Sequence, residues 1–147
     1  MQEVRRRLTR GISDERSLVR LLWNRGFAVM RAPASGSSTK MPRPDIIAGS
    51  SNRNLQFAIE VKTTHDEVLY MARESINQLV EFAERFGCQP IVALRFKSRL
   101  KSWIFIQPQQ LMVTPAQNYK TTCLEAQRIG IDFKTLIGEG KQLKLAP

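Results

Sequence analysis

At 147 residues the chain is long enough for one domain that buries most of its apolar surface, and no apolar run approaches the ~20 residues that cross a bilayer. Its 23 Lys and Arg against 13 Asp and Glu give a net charge of +10, which calls for a polyanionic partner; without a strongly amphipathic basic helix, DNA is favoured over a membrane surface. One histidine, His65, and two distant cysteines, Cys88 and Cys123, exclude a zinc site and a Cys–His nucleophile, and the thiols read as free in a reducing cytoplasm.

In chain order, residues 1–12 form a basic arm with Arg5, Arg6, Arg7 and Arg10 against Glu3 alone. The N-terminus lacks the apolar stretch of a signal peptide. Ser13 is placed to cap a helix reaching about Arg25, with Asp14 and Glu15 in its first turn, Leu18, Leu21 and Leu22 as its stripe and Gly26 as its stop. Phe27 to Arg31 reads as a strand, and residues 32–43 as a polar loop. Asp45 to Gly49 and Leu55 to Lys62 read as two more strands around the turn-forming Ser50-Ser51-Asn52-Arg53-Asn54. A linker follows Lys62. A helix is predicted from Ala72 to Phe86, with Ile76, Leu79, Val80 and Ala83 on one face and Gly87 as its stop. Strands are predicted at Pro90 to Phe96 and Ser102 to Ile106. Residues 114–147 are less regular, with weak helices at Thr122 to Arg128 and Phe133 to Ile137. This order suggests an α/β fold: one domain over 1–147 with a central mixed sheet flanked by helices.

The most informative spacing is Pro44-Asp45, then Glu60-Val61-Lys62 fifteen positions on. Two strands joined by a short polar turn fold back as an antiparallel hairpin. With the turn centred near Asn52, Asp45 lies across from residue 59 or 60, beside Glu60. Side chains alternate along a strand, so Glu60 and Lys62 share a face while Ile59 and Val61 take the other. Two adjacent carboxylates repel, and a hard cation such as Mg²⁺ relieves that repulsion while keeping positions for phosphate oxygens. The Val61 carbonyl is a candidate further ligand. Lys62 would neutralise charge developing on a phosphate. The plain alternative is a surface hairpin with a Glu60–Lys62 pair worth well under ~1 kcal/mol. Charges interrupting core-grade residues, on a protein of charge +10, favour phosphodiester cleavage.

Arg95, Lys97, Arg99 and Lys101 alternate with Phe96, Ser98, Leu100 and Ser102, so an extended strand would put the cations on one side as sequence-independent phosphate contacts. A charged edge strand that only blocks aggregation has the same pattern. Trp23 and Trp103 sit among apolar neighbours and read as core residues rather than base-stacking platforms.

The series Glu15-Arg16, Arg31 before a Ser/Gly loop, Pro44-Asp45 and Glu60-Val61-Lys62 resembles the archaeal Holliday junction resolvases, a family of the PD-(D/E)xK, or restriction-endonuclease-like, nucleases. Leu79 to Gly87 followed by the Pro90 strand extends the likeness, which covers roughly residues 11–107. The resemblance implies a single restriction-endonuclease-like nuclease domain and a homodimer that cuts four-way DNA junctions in recombination and repair. It implies Mg²⁺ as cofactor, replaceable by Mn²⁺, no membrane partner, and a cytoplasmic, nucleoid-associated location. Other recombination or replication proteins remain candidate partners. Carried over, Asp45 and Glu60 match metal ligands, Lys62 the catalytic lysine, and Glu15 a first-helix glutamate required for cleavage, taken as catalytic and as a third metal ligand. Arg16 and Arg31 match positions tied to activity or DNA contact. Ser35 and Ser37 fall in a loop that approaches the DNA. Pro42 and Pro44 around Arg43 depart from the family's shorter loops; Arg43 and the arm residues Arg5, Arg6 and Arg7 are taken as DNA contacts. The alternatives are ordinary: Glu15 as a first-turn carboxylate, Arg16 and Arg31 as solvated charges, Ser35 to Ser38 as a flexible loop. A nuclease of the same superfamily acting on flaps, mismatches or a specific sequence, and a non-catalytic junction-binding paralogue, are the competing functions.

Overall fold

The computed structural model describes residues 2–33 and 41–140, with side chains from Ile12 onward in the first helix. Helix α1 (Gln2–Trp23) leads into β1 (Ala28–Arg31), β2 (Ile46–Ser50) and β3 (Leu55–Thr64). A strand β4 (Val68–Met71) precedes α2 (Arg73–Phe86), followed by β5 (Gln89–Phe96) and β6 (Ile104–Ile106). A 3₁₀ turn (Pro108–Gln110), β7 (Met112–Val113), β8 (Tyr119–Thr122), α3 (Cys123–Ile129) and α4 (Phe133–Leu136) complete the described chain.

The main sheet has the order β1-β2-β3-β5-β6 and is mixed as expected: β3 and β5 run parallel, and the other neighbours antiparallel. Parallel neighbours need a long crossover, and β4 with α2 provides it. Strand β5, internal to the sheet, is covered on both faces, which explains its near-continuous apolar run Ile91-Val92-Ala93-Leu94. Ile76, Leu79 and Ala83 of α2 pack with Ala58, Val92 and Leu94 in one core cluster. Leu18 and Leu22 of α1 pack with Phe57, Ile59, Ala93 and Phe105 in the other, which Leu136 of α4 joins. Gly87 ends α2 at φ 86°, a left-handed position natural to glycine, and its N–H donates to the Ala83 carbonyl at 2.9 Å.

Several expectations are corrected. Helix α1 begins at Gln2, so Ser13 lies inside it and caps nothing, and the backbone of the basic arm from Gln2 onward is helical. Leu21 is exposed; the buried stripe runs Asp14, Leu18, Leu22 at intervals of four. The stretch after Lys62 is strand up to Thr64 and again in β4, which joins β7 and β8 in a three-stranded sheet of order β4-β8-β7. Strand β8, Tyr-Lys-Thr-Thr, carries no apolar alternation and forms by pairing with chain some fifty positions away, so local pattern did not show it. Trp103 is buried, but Trp23, at 65% exposure, is not a core residue: it ends α1 one position past the buried Leu22, about 100° round the helix from the core stripe.

Candidate active site

The β2–β3 hairpin folds in the register its turn dictates. Ile46 pairs with Ile59 and Ser50 with Leu55, so one step beyond the strand end Asp45 stands opposite Glu60. The Asp45 carboxylate accepts a hydrogen bond from the Val61 N–H at 2.8 Å. Lys62 Nζ lies 3.4 Å from Glu60 Oε1. Ile59, buried, and Val61, half-buried, pack into the α1 core, leaving Glu60 and Lys62 on the other face of β3. The Asp45 carbonyl accepts from the Ala32 N–H at 2.8 Å, which ties the end of β1 to the start of β2 beside the carboxylates.

The electrostatics follow from that packing. The Glu60 side chain is only 12% exposed. Burial first, and then the Asp45 charge, push its carboxyl up from 4.5 to about 8, with Lys62 opposing. Burial also raises Asp45, against the Val61 N–H and Lys62, which favour its ionised form. Two buried carboxylates sharing one lysine thus hold a proton near neutral pH. They are a pair of hard oxygen donors short of positive charge, the donor set that suits Mg²⁺.

Glu15 approaches from α1. Arg31 Nη1 lies 3.4 Å from its Oε2, and burial followed by the Asp45 charge raises its pKa while Arg31 lowers it. Among the described residues no group of three or more His, Cys, Asp or Glu side chains gathers as a metal set, and the Glu15 carboxylate faces Arg31 instead. Arg31 is accordingly an ion-pair partner of Glu15 within the cluster rather than a solvated charge. Arg16 is exposed and Arg43 half-buried. Ser35 and Ser37 lie outside the described residues. Arg5, Arg6 and Arg7 lie on the helical backbone of α1, and their side chains fall outside the description.

The expected stripe of Arg95, Lys97, Arg99 and Lys101 is corrected, and so is its edge-strand alternative. Strand β5 ends at Phe96 and is internal to the sheet. Arg95 and Lys97 turn to the buried Asp14, at 3.2 and 2.6 Å, and Arg99 pairs with Glu67 at 3.0 Å. The Asp14 contacts were missed, although a signal existed: Asp14 falls on the stripe of Leu18 and Leu22, where a charge needs a partner. In β4, Leu69 and Met71 are core residues and Tyr70 is exposed.

A family model described as archaeal Holliday junction resolvase (Hjc) matches residues 6–145. The crossover junction endodeoxyribonuclease Hjc of Methanocaldococcus jannaschii is 37% identical over 142 residues, 97% of each chain. That of Archaeoglobus fulgidus is 39% identical over 112 residues, covering 76% of this chain and 78% of its own. The solved structure of Archaeoglobus fulgidus Hjc, a Holliday junction resolvase, superposes with a TM-score of 0.76 at 35% identity, covering 88% of this chain and 99% of that one.

Proposed function

The chain belongs to the archaeal Holliday junction resolvase family, and from that membership we propose that it is an endonuclease that resolves four-way DNA junctions by hydrolysing phosphodiesters. The observation that carries the reading to individual residues is the pairing of Asp45 with Glu60, closed by Lys62, at the end of a hairpin in a protein of charge +10.

Asp45 and Glu60 are the residues that would hold Mg²⁺, or Mn²⁺ through the same oxygen donors, with the Val61 carbonyl as a further candidate. Bound there, the cation supplies Lewis-acid stabilisation of the phosphate and lowers the pKa of a coordinated water. The protein's own groups do the rest. The Val61 N–H holds the Asp45 carboxylate in one orientation. Lys62, tethered to Glu60 at 3.4 Å, places a positive charge where the phosphate becomes more negative in the transition state. Glu15, steadied by Arg31, adds a third carboxylate near Asp45, able to orient the attacking water without joining the ligand pair. Arg16, Arg43, Ser35, Ser37 and the arm cations Arg5, Arg6 and Arg7 are assigned to the DNA backbone, which gives affinity without sequence readout.

Two nicks placed symmetrically across a junction need two matched sites, which a two-fold homodimer supplies. Phe82 and Phe86 of α2 stack at 5.5 Å with Phe86 exposed, and this aromatic surface supports α2 as the interface. A DNA substrate assigns the proposed activity to the cytoplasm with the nucleoid. Among the described residues no helix is long and apolar enough to cross a membrane. The reading is tested by parallel cleavage of a mobile four-way junction, a flap and a linear duplex. Paired nicks in the junction with the other two substrates intact support it. Preferential cutting of the flap or the duplex would assign the chain another substrate.

A further inference from the structure

Asp14 is a carboxylate 7% exposed on the sheet-facing side of α1. Its Oδ1 accepts from Arg95 Nη1 at 3.2 Å, and its Oδ2 meets the Lys97 ammonium at 2.6 Å without hydrogen-bond alignment. Both cations come from the C-terminal end of β5. Arg95 lies over the Trp103 ring, 5.5 Å from its centroid, which fixes the guanidinium from the β6 side. The Lys97 N–H donates to the Thr64 carbonyl at 2.9 Å, which ties the base of this clamp to β3, the strand carrying Glu60 and Lys62.

The next residue along α1 is Glu15, held by Arg31 of β1 at the far edge of the same sheet. Consecutive helical residues point about 100° apart. One turn of α1 is therefore pinned from two directions, toward β5 through Asp14 and toward β1 through Glu15. Leu18 and Leu22 alone are apolar and leave rotation about the helix axis weakly specified, because hydrophobic contact has no direction. A roll of about 20° moves a carboxylate about 6 Å from the axis by about 2 Å. Displacements of that size at a reacting centre cost about a hundredfold in rate.

We infer that Asp14, clamped by Arg95 and Lys97, is a positioning residue that fixes the roll of α1 and so holds Glu15, paired with Arg31, on the Asp45 side of the carboxylate pair. This rests on the reading of Glu15 given under the proposed function. The clamp is separate from the ligand pair and touches neither the cation nor the DNA in that reading.

The test is single-turnover cleavage of a labelled four-way junction by the full-length protein with Mg²⁺, using wild type, Asp14→Asn, Glu15→Gln and the double variant. A loss of folded protein lowers the fraction of junction cut, whereas a displaced Glu15 lowers the rate constant at full amplitude. Asp14→Asn is expected to slow the rate constant about tenfold or more, with amplitude and junction affinity within about twofold, and to add nothing to Glu15→Gln. Lys97→Gln, which keeps the Arg95 contact, serves where Asp14→Asn does not fold and is expected to show the same non-additivity. A wild-type rate constant, a loss of amplitude alone, or an equal slowing in the Glu15→Gln background overturns the inference and leaves the reading of Glu15 standing. A Glu15→Gln protein that cuts at the wild-type rate overturns that reading, and the inference falls with it.

Discussion

Glu60 links the fold to pH. In the unfolded chain its carboxyl ionises near 4.5, while in the folded chain burial and Asp45 hold the proton to about 8. Between those values the folded state binds more protons than the unfolded one, so the metal-free protein loses stability as pH rises through that window. Glu60→Gln removes the effect. Its advantage over wild type in metal-free thermal unfolding should be absent near pH 4.5 and grow toward pH 8, to the order of a few kcal/mol. An advantage independent of pH would contradict the buried pair. Protons compete with the cation for the same oxygens, so apparent Mg²⁺ affinity should rise with pH up to about 8 and then level. Lys62→Ala removes a charge from the phosphate rather than a ligand: junction cleavage should fall about 10²–10³-fold while Mg²⁺ binding, read by calorimetry, persists. Full cleavage by this variant would reduce the Glu-x-Lys spacing to coincidence. These residues were legible in sequence because the hairpin is local: a polar turn sets the register, and the register sets which carboxylate faces which. That Asp14 needs a partner was legible from its place on the apolar stripe, but which partners was not, since they sit on a strand whose place in the sheet depends on a distant parallel pairing.

Among elements, those with a strong period or clear punctuation were read to within a few residues. The α2 helix, with its apolar face and Gly87 stop, and β5, with its continuous apolar run, are examples. The errors have physical causes. The start of α1 was set by a capping residue and an acidic first turn, features that α1 carries in its interior because the helix continues upstream. Strand β4 is four residues long and pairs only with β8, so neither announces itself alone. Reading Arg95 and Lys97 as an exposed stripe passed over Asp14 of α1, which meets both; what packs against a strand's face is a property of topology rather than of pattern. Gly130 gives an element-scale prediction. It closes α3 against β6, and a Cβ there would meet the Ala126 carbonyl at 2.6 Å and Ile106 Cγ2 at 3.0 Å. Gly130→Ala should therefore destabilise the fold by about 1–3 kcal/mol, seen as a lower denaturant midpoint. An unchanged midpoint would show that α3 shifts freely on the sheet.

At the scale of the whole molecule, a basic protein whose described residues hold the Asp45–Glu60 pair as a single cleavage site is expected to cut a symmetric junction as a dimer. Heterodimers of wild type with Asp45→Asn should then nick one strand of a junction. Light scattering that shows a monomer at working concentration, with paired cleavage intact, would refute the dimer. Junction affinity should fall steeply with salt, since several phosphates are neutralised on binding. The central claim is that Asp45 and Glu60 together make the cut, and cleavage and binding of a mobile four-way junction by wild type, Asp45→Asn and Glu60→Gln, with Mg²⁺ and with chelator, tests it most directly. Wild type should make paired nicks in Mg²⁺ and none in chelator, with both variants binding the junction and leaving it whole. Substantial Mg²⁺-dependent cleavage by either variant, or wild-type cleavage undiminished in chelator, would contradict it.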